Sequence, residues 1–289
     1  MEQDAQNNTY IIDAESETEL TRLTYQDRLI TEAMNGLFPE RADLAGIHTV
    51  LDIACGPGDW TLEVAHTYYD HKVQVTGIDI SQKTIEYARA RAQSQGIENV
   101  NFRVMDATVP LDFPDEAFDL VNARFIAGFL SASVWPQFLA ECMRILRPGG
   151  TLRLTEPEWG ISTTPATERL NALCIQAMHL AGKTFTSDGR HIGITLVLDR
   201  FLRTAGCVNV QQRAHALNFA YGTEAHGPFV QNAIIAFQLL KPFLLKTKVT
   251  TEEEFARLFQ EAQIEMYLPD FADTIYMMTA WGEKPTSAE

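Results

Sequence analysis

The chain has 289 residues, 46% hydrophobic and 21% charged, with 38 acids against 23 bases and a formal net charge of -15. That length and apolar content are enough for a full buried core, and no Lys/Arg cluster suits a phosphate backbone or an anionic membrane, which excludes both as partners. Cys55, Cys142, Cys174 and Cys207 lack any CxxC spacing and read as free buried thiols of a reducing, cytoplasmic protein, while the acidic start Met1-Glu2-Gln3-Asp4 is not a secretory leader.

Residues 1–9 read as disordered. Ser16 and Glu19 then form an S-x-x-E capping box that opens a helix carrying Leu20 and Leu23. A second helical run, Leu29, Ile30, Ala33, Met34 and Leu37, stops near Gly36 and Pro39. Val50 to Ile53 is a short apolar strand that reaches an acid at Asp52. It turns through Ala54, Gly56 and Gly58 into a helix with Leu62, Val64 and Ala65. Glycines after a strand let backbone approach a ligand that the first helical N–H groups face. The dinucleotide frame G-x-G-x-x-G fails, because Thr61 stands where the third glycine belongs. The frame acid-x-small-x-Gly-x-Gly remains.

The following segments repeat one theme. Val73 to Asp79 is a strand ending in an acid, about 21 residues past the glycines, near the ribose-acid spacing of mononucleotide-binding units. Ser81 caps a helix with Ile85, Ala88 and Ala92 that Gly96 ends. Val100 to Asp106 alternates apolar and polar residues and again ends in an acid. Phe118-Asp119-Leu120-Val121-Asn122 is a further strand, and Arg147-Pro148-Gly149-Gly150 turns into Thr151 to Leu154. Strands alternating with helices predict a parallel sheet that binds ligands at its carboxyl ends, where Asp52, Asp79, Asp106 and Asn122 fall.

This ordered set, over residues 47–156, resembles the class I S-adenosylmethionine methyltransferases of the small-molecule, UbiE-like type, with Ala54 in place of the commoner first glycine. The resemblance implies an α/β fold: a Rossmann-like, seven-stranded, mostly parallel sheet with helices on both faces, N-terminal helices and an inserted helical cap. It implies an N-terminal helical lid over 1–46, a cofactor-binding core over 47–156, and completion of the sheet with a substrate cap over 157–289. The implied cofactor is S-adenosyl-L-methionine. Asp52, Ala54, Gly56 and Gly58 would hold its amino acid end, Asp79 its ribose, and Ile80, Asp106 and Ala107 its adenine. Asn122 and Arg124 would line the methionine moiety, Arg124 as a partner for its carboxylate. Tyr10, Arg22, Tyr25 and Gln26 are candidates for the lid surface.

Beyond residue 157, Leu170 to Leu180 and Ile194 to Leu202 read as helices and Val208 to about Phe219 as a strand. A very apolar run from Phe229 to Leu245 follows, then a helix over Thr250 to Gln263 and a last strand over Asp273 to Trp281. The apolar run, interrupted by Lys241 and Pro242, is too short to span a membrane. It is expected to wall a substrate pocket through Phe237 and Leu240, with a homodimer interface as the alternative use.

Methyl transfer needs alignment, exclusion of water and, for some acceptors, proton removal. Glu156, ending the fifth strand, and His191 are the first candidates for the base, with Glu158, His179, His215 and Asp188 comparable. No histidine spacing suggests a metal, and no NPPY-type motif follows the fourth strand. The expected activity is methyl transfer to O, N or C of a small apolar or aromatic metabolite. The alternatives are a non-methylating use of the same cofactor, or a non-catalytic scaffold.

Overall fold

The computed structural model describes residues 10–13, 16–41 and 43–286; the disorder expected for residues 1–9 lies outside them. Strands β1 (Thr49–Ile53), β2 (Gln74–Asp79), β3 (Val100–Val104), β4 (Phe118–Arg124) and β5 (Leu146–Pro157) are parallel. They lie in the order β3-β2-β1-β4-β5. Beside β5 runs the antiparallel β8 (Asp273–Glu283), which also pairs with β7 (Val208–Asn218). An eighth, two-residue strand, β6 (Ile161–Ser162), pairs with the start of β8 and continues the line of β5 after a break at residues 158–160. The sheet is Rossmann-like and mostly parallel, with one short strand more than expected.

Helices α2 (Asp59–Thr67), α3 (Gln82–Gln95), α4 (Trp135–Ile145) and α6 (Leu198–Thr204) pack on the sheet. Val50, Leu51, Ile53 and Leu120 are fully buried between them, as expected where helices cover a parallel sheet. A second apolar core lies off the sheet. In it α1 (Glu17–Ala33), α5 (Pro165–Leu180), α7 (His226–Lys246) and α8 (Glu252–Glu265) meet.

Two predicted helices between residues 16 and 37 are in fact one. Nothing in Gln26-Asp27-Arg28 breaks the ladder, and α1 ends only where Asn35 and Gly36 take positive φ. Ser16 accepts the Glu19 N–H at 3.4 Å, but the Glu19 carboxylate leaves the cap to bind Arg22 and Tyr10. The apolar run also departs from expectation. Pro242 does not interrupt α7, whose 21 residues are long and apolar enough to cross a membrane. Its face carrying Phe229, Val230, Phe237, Leu240 and Leu244 is buried in this second core.

Candidate functional site

Two cavities lie side by side over the carboxyl ends of the parallel strands. The first, of about 160 Å³, is lined by the β1–α2 turn, the ends of β2 and β3, Arg124 and the inner face of α1. Tyr10, Gln26 and Phe125 line both it and the second cavity, of about 220 Å³, which β5, β8, α1, α5 and α7 enclose.

The first cavity is rimmed by carboxylates on short strand ends. Asp79 accepts the backbone N–H of Gly56 and of Ser81, each at 3.0 Å. Asp106 accepts the N–H of Thr108 at 2.8 Å and its hydroxyl at 2.7 Å. Ile80 and Ala107 line the wall beside these acids. Asp52 is buried but reaches the cavity, with Thr61 donating to one oxygen at 2.7 Å and Asn122 to the other at 2.8 Å. Burial pushes its carboxyl up to about 6 against the pull of Arg124 and of both bonds.

The turn residues divide by geometry. Ala54 has φ 56 and Gly56 φ 54. Both line the cavity, and a Cβ on Gly56 would meet only Leu23, at 3.9 Å. Gly58, expected in the cradle, is not in the cavity wall. Its φ of 81 starts α2, and a Cβ there would sit 2.8 Å from the Phe102 ring, so this glycine serves close packing. Asn122 is corrected likewise: it is fully buried below the cavity, joining Asp52 to Arg153 at 2.8 Å, and Arg153 pairs with Glu40. Arg124 lines the cavity, but its guanidinium is engaged by Asp27 of α1 and by Thr31. That occupies the charge expected for a ligand carboxylate.

Of the lid candidates, Tyr10, Arg22 and Gln26 face the cavities. The Tyr10 hydroxyl donates to Glu19 at 2.8 Å, and Arg22 bridges Glu19, Gln26 and Asn232 of α7. Tyr25 is 63% exposed and lines neither cavity, because its position points off the helix away from the core. Phe237 and Leu240 both wall the second cavity.

Glu156 is fully buried on that cavity's wall and accepts the N–H of Ile126 at 2.8 Å and of Ala127 at 3.2 Å. Burial lifts its carboxyl to about 8, although both bonds pull the other way. His191 is corrected: it is exposed and lines neither cavity, so it has no path to a reacting atom there. Glu158 is spent on the N–H groups of Ile192 and Gly193, and His179 meets Thr184 at 2.7 Å. Asp27, Thr61, Phe125 and Asp273 escaped sequence reasoning. Only Thr61 carried a signal, since it occupies the position where the dinucleotide frame breaks. Phe125, with φ 59 at the junction of the cavities, is a strained non-glycine residue that no pattern announces.

A family model described as a methyltransferase domain matches residues 50–150. The demethylmenaquinone methyltransferase of Lactococcus lactis is 26% identical over 200 residues, 64% of this chain and 77% of that protein. Residues 50–150 carry a methyltransferase domain of the class I S-adenosylmethionine-dependent kind. Another relative, the aklanonic acid methyltransferase DauC of a Streptomyces species, is 38% identical over 116 residues, 40% of this chain and 51% of that protein. The chain thus spans about half the length of this second relative. The crystal structure of the [4+2]-cyclase SpnF superposes on this methyltransferase with a TM-score of 0.53 at 20% identity, covering 95% of this chain and 97% of the cyclase. That likeness shows the fold alone. The cofactor of this methyltransferase is S-adenosylmethionine.

Proposed function

We propose that this enzyme transfers a methyl group from the first cavity to a small, largely apolar molecule in the second. The carrying observation is the juxtaposition itself. A carboxylate-rimmed cavity and an apolar one meet at Tyr10, Gln26 and Phe125.

The first cavity fits the cofactor by the chemistry of its donors. Asp79 and Asp106 stand at the ends of neighbouring strands, where ribose hydroxyls and an adenine amino group find acceptors. The wall at Gly56 is open enough that only a distant Leu23 methyl would meet a Cβ. Ala54, Gly56 and the Asp52 carboxyl would take the amino acid end. When bound, S-adenosylmethionine supplies an electrophilic methyl group on a sulfonium. The protein's own part is alignment and dryness. Helix α1 closes over both cavities through Asp27–Arg124 and Arg22–Asn232. Tyr10, Gln26 and Phe125 shape the passage. Phe237, Leu240, Leu29 and Met178 strip water from the acceptor. Glu156 is the proposed proton acceptor: it lines the second cavity, and its ionised form, reached as pH climbs through about 8, is a stronger base than an ordinary carboxylate.

The test is calorimetry with S-adenosylhomocysteine, followed by S-adenosylhomocysteine release when hydroxylated aromatic compounds are added to the S-adenosylmethionine-loaded enzyme. Binding and release are expected. A folded protein that binds neither cofactor form would refute the reading.

A further inference from the structure

The second cavity holds more polar chemistry than alignment of an apolar molecule needs, and it is concentrated away from the passage. Asp273, the first residue of β8, is 2% exposed and lines this cavity, and its Oδ1 has no hydrogen-bond partner among the described residues. Thr167 of α5 lines the same cavity at 1% exposure, and its Oγ1 is likewise unpartnered. Leaving such atoms unsatisfied inside a protein costs about 1–3 kcal/mol each. A buried carboxyl oxygen without a partner is therefore a standing cost that packing alone does not explain.

The surrounding structure makes room for that carboxyl in the cavity wall. Between β5 and β6 the chain breaks at residues 158–160, and a Cβ on Gly160 would lie 2.9 Å from Asp273 Oδ1. Only a glycine leaves this room. The break is pinned on α5 by Asn171, which accepts from the Trp159 indole at 2.8 Å and donates to the Gly160 carbonyl at 3.1 Å. Asn171 stands one helical turn from Thr167, on the same face. Burial, with the charge of Glu168 added, lifts the Asp273 carboxyl to about 7.

The position is remote from the passage. Glu156 pairs in register with Met278, five residues further along β8 than Asp273, which is roughly 16 Å of strand. Resting on the methyl-transfer reading above, we propose that Asp273 and Thr167 form an acceptor-recognition site. It takes an elongated, mostly apolar molecule through an O–H or N–H donor at the end remote from the methylated atom. Acceptors with a carboxylate at that end are disfavoured, because the buried setting and the nearby Glu168 already oppose negative charge there.

Four two-ring probes test this by ligand-observed NMR on the S-adenosylhomocysteine-loaded protein: 2-naphthol, 2-naphthylmethylamine, naphthalene and 2-naphthoate. At least one donor-bearing probe is expected to bind about tenfold tighter than naphthalene or naphthoate, and the better of the two names the donor. In Asp273→Leu, Thr167→Val and Gly160→Ala that preference should fall to about twofold or less, while S-adenosylhomocysteine binds as in wild type. The Tm of Asp273→Leu should be unchanged or raised, because a carboxyl kept only for a ligand burdens the empty fold. A lowered Tm makes Asp273 structural and overturns the proposal, as do probes that fail to rank or to bind. Those outcomes leave the methyl-transfer reading standing, whereas loss of S-adenosylhomocysteine binding by the wild-type protein would remove both.

Discussion

Asp52 and Asn122 face each other in register across β1 and β4, and the Asn122 amide donates to the Asp52 carboxyl at 2.8 Å. The same asparagine accepts from Arg153, which pairs with Glu40, so one buried chain of polar groups runs from outside the sheet to the cavity floor. The site's carboxylate is positioned by the neighbouring strand.

Asn122→Ala should therefore destabilise the protein by about 3 kcal/mol, since it orphans a buried carboxylate oxygen and a buried guanidinium N–H together. Urea denaturation measures this. A change within about 0.5 kcal/mol would mean that Asp52 and Arg153 find other partners.

The two glycines of the turn should respond oppositely. Gly58→Ala is expected to cost about 2–3 kcal/mol of stability, from left-handed strain and a Cβ at 2.8 Å from Phe102. Gly56→Ala should cost only about 1 kcal/mol of stability but weaken S-adenosylhomocysteine, because its methyl group would project into the cavity. Denaturation and calorimetry on both variants separate packing from binding; equal stability losses would contradict the assignment.

Asp79→Asn should keep the fold and weaken S-adenosylmethionine by about 1–3 kcal/mol, through loss of charge-assisted bonds. Titration calorimetry showing wild-type affinity would place the ribose elsewhere.

Stability should fall as pH rises through neutrality. Burial holds Asp273 at about 7 and Glu156 at about 8 in the folded protein, above unfolded values near 3.9 and 4.3. Between those limits the folded state binds more protons than the unfolded one. The contribution is full below about pH 4 and lost as pH climbs through 7 and 8. Asp273→Asn should flatten the decline between pH 5 and 7, where each unit is worth at most about 1.4 kcal/mol. Parallel wild-type and variant curves from urea titrations would show that Asp273 is not the group responsible.

The sequence by itself determined the strand ends and their acids. A strand of period two that stops at an acid, followed by a capped helix of period 3.6, is a local pattern, and Asp52, Asp79 and Asp106 could be placed from it before any contact was known. The methyltransferase resemblance of residues 47–156 rested on the same ordered pattern. Tertiary structure decided which turn residues face the cavity and which pack, because Gly56 and Gly58 share a local signature and differ only in what lies opposite, Leu23 or Phe102. It also decided that Asn122 is a brace, that Arg124 is taken by Asp27, and that His191 stands outside both cavities. The second cavity was legible only as an apolar run. Its walls come from α1, β5, α5, α7 and β8, segments up to about 260 residues apart, and no local pattern encodes which of their polar atoms is left without a partner when they close together.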